Sequence, residues 1–309
     1  MASVNFIPSK GDCSEKLESF INGLSDNTTV VLRGECYLSR KVLVRNKRDL
    51  AIVGEDAKII TAFNPMEGFE KYSGAFAFEA CENLTLKNLR ESIARLPVGE
   101  QICFLYGGRG NFNHLKNSAV TFEDCKDVSI LDITVHSTAG FITEADGNSI
   151  KVINKRFDIP LDENWCQKGD VIAVYDSDFV RKGSLTVEKY EDSRVYYSVC
   201  EGKAEVGDVV ANTFYNAEIL VENCEVRNSR ARALLFRTEN ITVRNCKFFG
   251  MSLPAILMAP YIVVWHEMSP VKNVLIEHCT FQKCGFVGNN EANAVISVKT
   301  SHDGLQKTE

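Results

Sequence analysis

The sequence has no run of eighteen apolar residues, so no segment reads as a membrane-crossing helix. Its first residues, Met1-Ala2-Ser3-Val4-Asn5-Phe6-Ile7-Pro8, hold neither a basic n-region nor an apolar h-region, and a soluble, cytoplasmic chain without an export signal is expected. No C-x-x-C pair and no short Cys-His cluster occurs among the eleven cysteines. A zinc or redox-dithiol signature is therefore missing, and neither a metal nor a cofactor is expected. Basic residues are scattered, and 35 Lys and Arg against 41 Asp and Glu leave a net charge of -6. Phosphate binding needs clustered Lys and Arg, so nucleic acid is not an expected partner.

What is present is ordinary globular material: 45% apolar and 25% charged residues over 309 positions. Disorder, collagen and coiled coil are excluded. Five cysteines fall at the same kind of place, after or before a short alternating run. The runs are Phe78-Glu79-Ala80-Cys81-Glu82-Asn83-Leu84-Thr85-Leu86, Phe122-Glu123-Asp124-Cys125-Lys126-Asp127-Val128-Ser129-Ile130, Ile219 to Cys224, Ile241 to Cys246 and Val274 to Cys279. Alternation closed by a small polar residue reads as a strand and a turn. Leu84 to Val128 is 44 residues, Ile219 to Ile241 is 22 and Ile241 to Val274 is 33. Such spacing predicts a solenoid with a coil of about 22 residues. Amphipathic helical runs between these strands are missing, so an all-β parallel β-helix is the simplest solenoid, with the cysteines as a reduced, buried ladder.

Ahead of the repeats, Glu15 to Leu24 reads as a short amphipathic helix that plugs the first coil, with the cap placed at 1–27. Repeat register fails over 153–212, where Lys168-Gly169-Asp170-Val171, Ser184 to Val187, Arg194 to Val199 and Val206-Gly207-Asp208-Val209 read as hairpin strands of a small inserted antiparallel barrel or sheet. Solenoid is then expected over 28–152 and 213–300, with a polar tail at 301–309.

Three places concentrate polar and aromatic groups: His136 to Asn148, Arg227 to Arg232, and Pro260 to Glu267. Glu144 and Asp146, two apart, would share a strand face with roughly 6 to 7 Å between their Cα atoms, which suits a carboxyl pair dividing acid and base roles. A solvated strand face explains the same spacing. His136 reads as a sugar contact or as a turn residue. Arg230 and Arg232 share a face if extended, to grip sugar hydroxyls or to pair with acids next door. Trp265, His266 and Glu267 fit a sugar platform with a polar handle, or a cover for the solenoid side.

The run Val226-Arg227-Asn228-Ser229-Arg230-Ala231-Arg232-Ala233-Leu234-Leu235-Phe236, then Asn240 to Phe248, Pro254 to Met258 and Trp265-His266-Glu267 before Val271 to Ile276, resembles glycoside hydrolase family 110. The likeness covers most of 28–295 and is strongest over 216–284. It implies a right-handed parallel β-helix of pectin-lyase-like fold with an inserted barrel. It also implies exo-acting, metal-independent, inverting removal of terminal α-linked galactose from glycans. Family members are longer and carry adjacent aspartates ahead of the barrel, where this chain has only Glu144 and Asp146. Either these two stand in for the aspartates, or the catalytic coils are missing.

The enzyme reading makes Glu144 and Asp146 the catalytic pair and Glu267 a third acid, with His136, Arg230, Arg232, Trp265 and His266 binding the sugar. The alternatives are a non-catalytic glycan-binding or structural solenoid and, third, a polysaccharide lyase, which would want a cluster of aspartates for calcium that the sequence lacks. No membrane partner is expected, and a homodimer is left open.

Overall fold

A computed structural model describes residues 2–61, 76–79, 81–89, 91–93, 119–123, 133–136, 139–154, 159–160, 166–192, 194–212, 218–227, 232–237, 239–259, 271–286 and 294–298. Among these the elements are strands, with one helix. The first part of the chain gives β1 (Ala2–Phe6), α1 (Ser14–Gly23), β2 (Thr28–Leu38), β3 (Val42–Arg45), β4 (Arg48–Thr61), β5 (Phe76–Glu79), β6 (Glu82–Lys87), β7 (Glu91–Ile93), β8 (Ala119–Glu123) and β9 (Ile133–His136). The middle gives β10 (Ala139–Ala145), β11 (Ser149–Asn154), β12 (Ile159–Pro160), β13 (Val171–Tyr175), β14 (Arg181–Glu191), β15 (Arg194–Glu201) and β16 (Val209–Asn212). The last part gives β17 (Glu218–Glu222), β18 (Glu225–Arg227), β19 (Leu234–Arg237), β20 (Ile241–Arg244), β21 (Lys247–Met251), β22 (Ile256–Met258), β23 (Val274–Glu277), β24 (Thr280–Cys284) and β25 (Ile296–Val298).

These strands do not make the single parallel β-helix expected from the repeat, right-handed as the family resemblance implies. They divide into separate sheets of nine, seven, four, three and two strands, and the seven-stranded one is antiparallel. The physical reason lies in what a period fixes. Repetition every 22 residues aligns strands in one sheet, as Ile219 with Ile241, and alternation fixes which side chains face in. It leaves open how the chain returns between them. The nine-stranded sheet runs in the order β1-β2-β4-β6-β8-β17-β20-β23, with β7 also paired to β4, whereas the other parallel sheets stop at two to four strands. The alignment of Leu84 with Val128 also fails, because Leu84 pairs with Val120. Ala119 to Phe122 alternates as well as Val128 to Ile130 does, so pattern alone could not choose between them.

Two files of left-handed residues set the long parallel sheet. Asn27, Asn240 and Asn273 just before its strands, and Asp49 and Asn83 second in theirs, stand at φ 52 to 59°, and Asn223, Asn245 and His278 follow its strands at φ 53 to 55°. Asn and Asp tolerate this region because their short side chains bond locally. Here they also bond along the file: Asn83 Nδ2 donates to Asp49 Oδ1 at 2.9 Å and Asn273 Nδ2 to Asn240 Oδ1 at 2.8 Å. The residue after the second file is a cysteine, and its thiol donates to a neighbouring strand's carbonyl: Cys246 to Val221 at 3.5 Å and Cys279 to Val243 at 3.6 Å. Between the files Val30, Ile52, Leu84, Ile219, Val221, Ile241 and Val243 are buried in one core, which Phe236 of β19 and Phe248 of β21 join. Each such side chain contributes about 1.5 to 3 kcal/mol when fully buried.

Helix α1 lays Leu17 and Ile21 into that core. Its start has no side-chain bond from Cys13. Instead the Asp12 carboxylate accepts from Ser14 N at 3.0 Å, Ser14 Oγ at 2.6 Å, Ser39 N at 3.0 Å and Ser39 Oγ at 2.6 Å, tying the helix to the end of β2. Burial opposes ionisation of Asp12, but these four donors outweigh it and hold the carboxyl well below its usual range. At the other end Lys47 Nζ donates to the carbonyls of Asn22 and Leu24 at 2.8 and 2.5 Å, a basic cap on orphan carbonyls.

The seven-stranded sheet runs β10-β16-β13-β14-β15-β11-β12, and β10 also pairs with β11, so six strands close into an antiparallel barrel. Its interior is Ile142, Ile150, Val152, Cys166, Ile172, Val174, Leu185, Val187, Val195 and Val210. Both Gly-Asp motifs make turns here. Asp170 Oδ2 accepts from Gln167 N at 3.0 Å and Asn212 Nδ2 at 2.9 Å, and Asp208 Oδ2 accepts from Glu205 N and Lys182 Nζ, each at 2.8 Å. The barrel falls in a compact unit of His136–Asn216, Ala259–Pro270 and Lys299–Glu309, and the long parallel sheet in one of Met1–Val135, Ala217–Met258 and Val271–Val298. No helix among the described residues is long and apolar enough to cross a membrane.

Candidate functional site

The barrel takes in β10 and β11, so Glu144 and Asp146 sit on its first hairpin, Glu144 near the end of β10 and Asp146 in the turn. Gly147, at φ 92°, lets the chain reverse there. The Asp146 carboxylate closes the turn by accepting from Ser149 N and Ser149 Oγ, each at 2.8 Å, and from Asn148 N at 3.3 Å. The Ser149 hydroxyl first, then its backbone N–H, holds the Asp146 carboxyl below its ordinary value.

Glu144 faces Lys151 across the hairpin, in register. Lys151 Nζ lies 3.2 Å from Glu144 Oε1, and Arg194 on β15 pairs with Glu144 Oε2 through Nη2. Arg194 Nη1 also lies 3.5 Å from Asp146 Oδ2 and donates to Ser149 Oγ at 3.1 Å. One guanidinium thus spans both predicted carboxylates, in a cluster of two acids and two bases. Glu144 and Asp146 side chains are 47% and 56% exposed and Arg194 26%, so a ligand could reach the acids. Asp146, ionised well below neutrality, can accept a proton or hold a water, whereas a proton donor needs a raised pKa.

The other predicted residues are placed one by one. His136 ends β9. Arg232 is 6% exposed and belongs to the unit of the long parallel sheet. Arg230, Trp265, His266 and Glu267 lie outside the described residues. Lys151 and Arg194 are the groups that sequence reasoning passed over. Lys151 had a local signal, since it stands opposite Glu144 across a Gly-Asn turn. Arg194 had none, because its approach depends on β15 pairing with β11 at Lys151.

Comparison with curated proteins finds similarity over part of the chain. The relatives are alpha-1,3-galactosidases. The chain is 30% identical over 96 residues to alpha-1,3-galactosidase A of Bacteroides fragilis, which is 31% of this chain and 16% of that protein. It is 31% identical over 85 residues to the protein of the same name from Akkermansia muciniphila, 27% of this chain and 14% of that one. The matched stretch thus spans about one-sixth of the length of these curated relatives. No protein-family model matches the chain.

Proposed function

We propose that the chain acts on glycans ending in α-linked galactose, as an exo-acting glycoside hydrolase that inverts the anomeric carbon. The observation that carries this reading is the stretch shared with the two alpha-1,3-galactosidases. In an inverting hydrolase one carboxylic acid protonates the leaving oxygen and a second carboxylate activates water on the opposite face of the sugar. Asp146 is assigned the base, since its turn bonds keep it ionised. Glu144 is assigned the proton donor, with Glu267 as a third acid. His136, Trp265 and His266 are assigned to holding the sugar. For Glu144 to carry a proton, Lys151 and Arg194 must release it as the sugar enters, so Arg194 would exchange a protein carboxylate for sugar hydroxyls.

That exchange also motivates a second reading. Both Glu144 oxygens are already engaged by protein cations, as in a cluster that stabilises a binding surface without chemistry. Incubation with an aryl α-galactoside separates the two. The hydrolase reading expects turnover that falls by about 10²- to 10⁴-fold in Glu144→Gln and in Asp146→Asn. Wild-type turnover in both variants would refute the carboxylate assignment. Binding on a glycan array with no sugar released by the wild-type chain would replace the hydrolase reading with the binding one.

A further inference from the structure

Cys13 and Cys36 are among the described cysteines outside the file that follows the strands of the long sheet. Cys13 stands at the start of α1 and Cys36 on β2, twenty-three positions later, and both are fully buried. Their Sγ atoms are 3.2 Å apart. The backbone already holds the two segments together, since Cys13 N donates to Tyr37 O at 2.8 Å and Asp12 forms a parallel bridge with Tyr37. Asp12 adds its four bonds to Ser14 and Ser39 on either side. A disulfide requires backbones close together and side chains aimed at one another. The bridge lays the two segments side by side, and the sulfurs face each other diagonally across it.

We propose that Cys13 and Cys36 are a cross-linking site that becomes an intramolecular disulfide in an oxidising glutathione environment, clamping α1 onto β2. Oxidised glutathione is the electron acceptor. The thiolate of one cysteine attacks a glutathione sulfur and expels one reduced glutathione. The thiolate of the other then attacks the mixed disulfide on the protein and expels the second. Two thiol protons leave the protein, and its two electrons end on the two glutathiones. Burial pushes both thiols up from their usual range, so the folded pair is a poor nucleophile. The bond therefore forms as the chain folds, or when α1 lifts away, and once made it is shielded from reductant.

The other cysteines give the proposal its competitors. Cys81, Cys224, Cys246 and Cys279 recur at the edge of the long sheet, and a cross-link between two of them would join adjacent strands without touching α1.

The chain is unfolded in guanidinium, refolded in a buffer of reduced and oxidised glutathione, alkylated, cut with trypsin without reduction and mapped by mass spectrometry. The expected product joins the peptides 11–16 and 34–40, lighter by two hydrogens than their sum. The oxidised chain should melt higher than the reduced chain by on the order of 5 °C, and Cys36→Ala should lose that difference. Cys13 and Cys36 found as free thiols, as separate glutathione adducts, or joined to other cysteines would overturn the proposal. The map is made on the wild-type chain, so the answer stands even if the variant does not fold.

Discussion

The long parallel sheet and the barrel turn their chains by different means. Beside the strands of the sheet the left-handed positions are mostly Asn and Asp, at φ 52 to 59°. In the barrel three tight turns use Gly147, Gly169 and Gly207, at φ 92, 91 and 96°. Both solutions satisfy the backbone, but only the first offers a side chain to the next strand. In the sheet one turn lies beside the next, and Asn273 bonds to Asn240 across that step. A barrel hairpin has no such neighbour. Its turn is fixed from within, by Asp146, Asp170 or Asp208 accepting a backbone N–H of its own loop. Turn chemistry therefore records whether a strand expects a copy of itself alongside.

The sharpest way to break the contrast is at a place where the barrel needs a missing side chain. A Cβ on Gly183 would run into the backbone carbonyl of Glu201 on the paired strand. Gly183→Ala should destabilise the barrel by about 1 to 3 kcal/mol or more, read by urea unfolding, with hydrogen exchange speeding up in β14 and β15 first. Unchanged stability would mean that the two strands are not this close. A smaller effect tests the sheet. Asn273→Ala should cost about 1 kcal/mol, because alanine is strained at positive φ and cannot donate to Asn240. Asn273→Gly should recover much of it, since only the bond is then lost. Equal losses in the two variants would show that the bond, and not the backbone, matters.

Acid should give the smallest effect. Lys182 and then Lys203 hold Glu205 down from 4.5 to about 2. A carboxyl depressed on folding adds stability above its unfolded value and loses it as pH falls towards the folded one. The melting temperature should therefore drop as pH is lowered from about 4.5 to about 2, and less steeply in Glu205→Gln. Parallel profiles for the two proteins would remove Glu205 from the barrel's acid response.

Much of this is written in short stretches of sequence, and the failures have a common cause. The Gly-Asp motifs mark barrel turns because a turn is a local event, and Ile219, Ile241 and Val274 mark register because their alternation repeats. A single coil was not legible, since nothing in a period says what the chain does between strands. Val120 and Val128 could not be separated as partners of Leu84 because both lie in alternating runs. At the candidate site the same division holds. Glu144 and Asp146 lie within three positions and were found together, whereas Arg194 reaches them only after β11 and β15 have paired. Spacing suggested a shared strand face, but β10 ends at Ala145 and Asp146 lies in the turn, and nothing in the spacing pointed to Arg194 beside both.

One pairing in the long sheet has a consequence for the order of folding. Most neighbours there are a few dozen residues apart, but Ala119 of β8 meets Glu218 of β17 across the whole barrel sequence. Closing a flexible loop of about a hundred residues is costly and slow. Within the barrel Ala139 pairs with Ala211, so once the barrel has formed the free loop shrinks to roughly two dozen residues, which lowers the closure cost by about 1 kcal/mol. The faster route makes the barrel first and then joins the two halves of the parallel sheet across it.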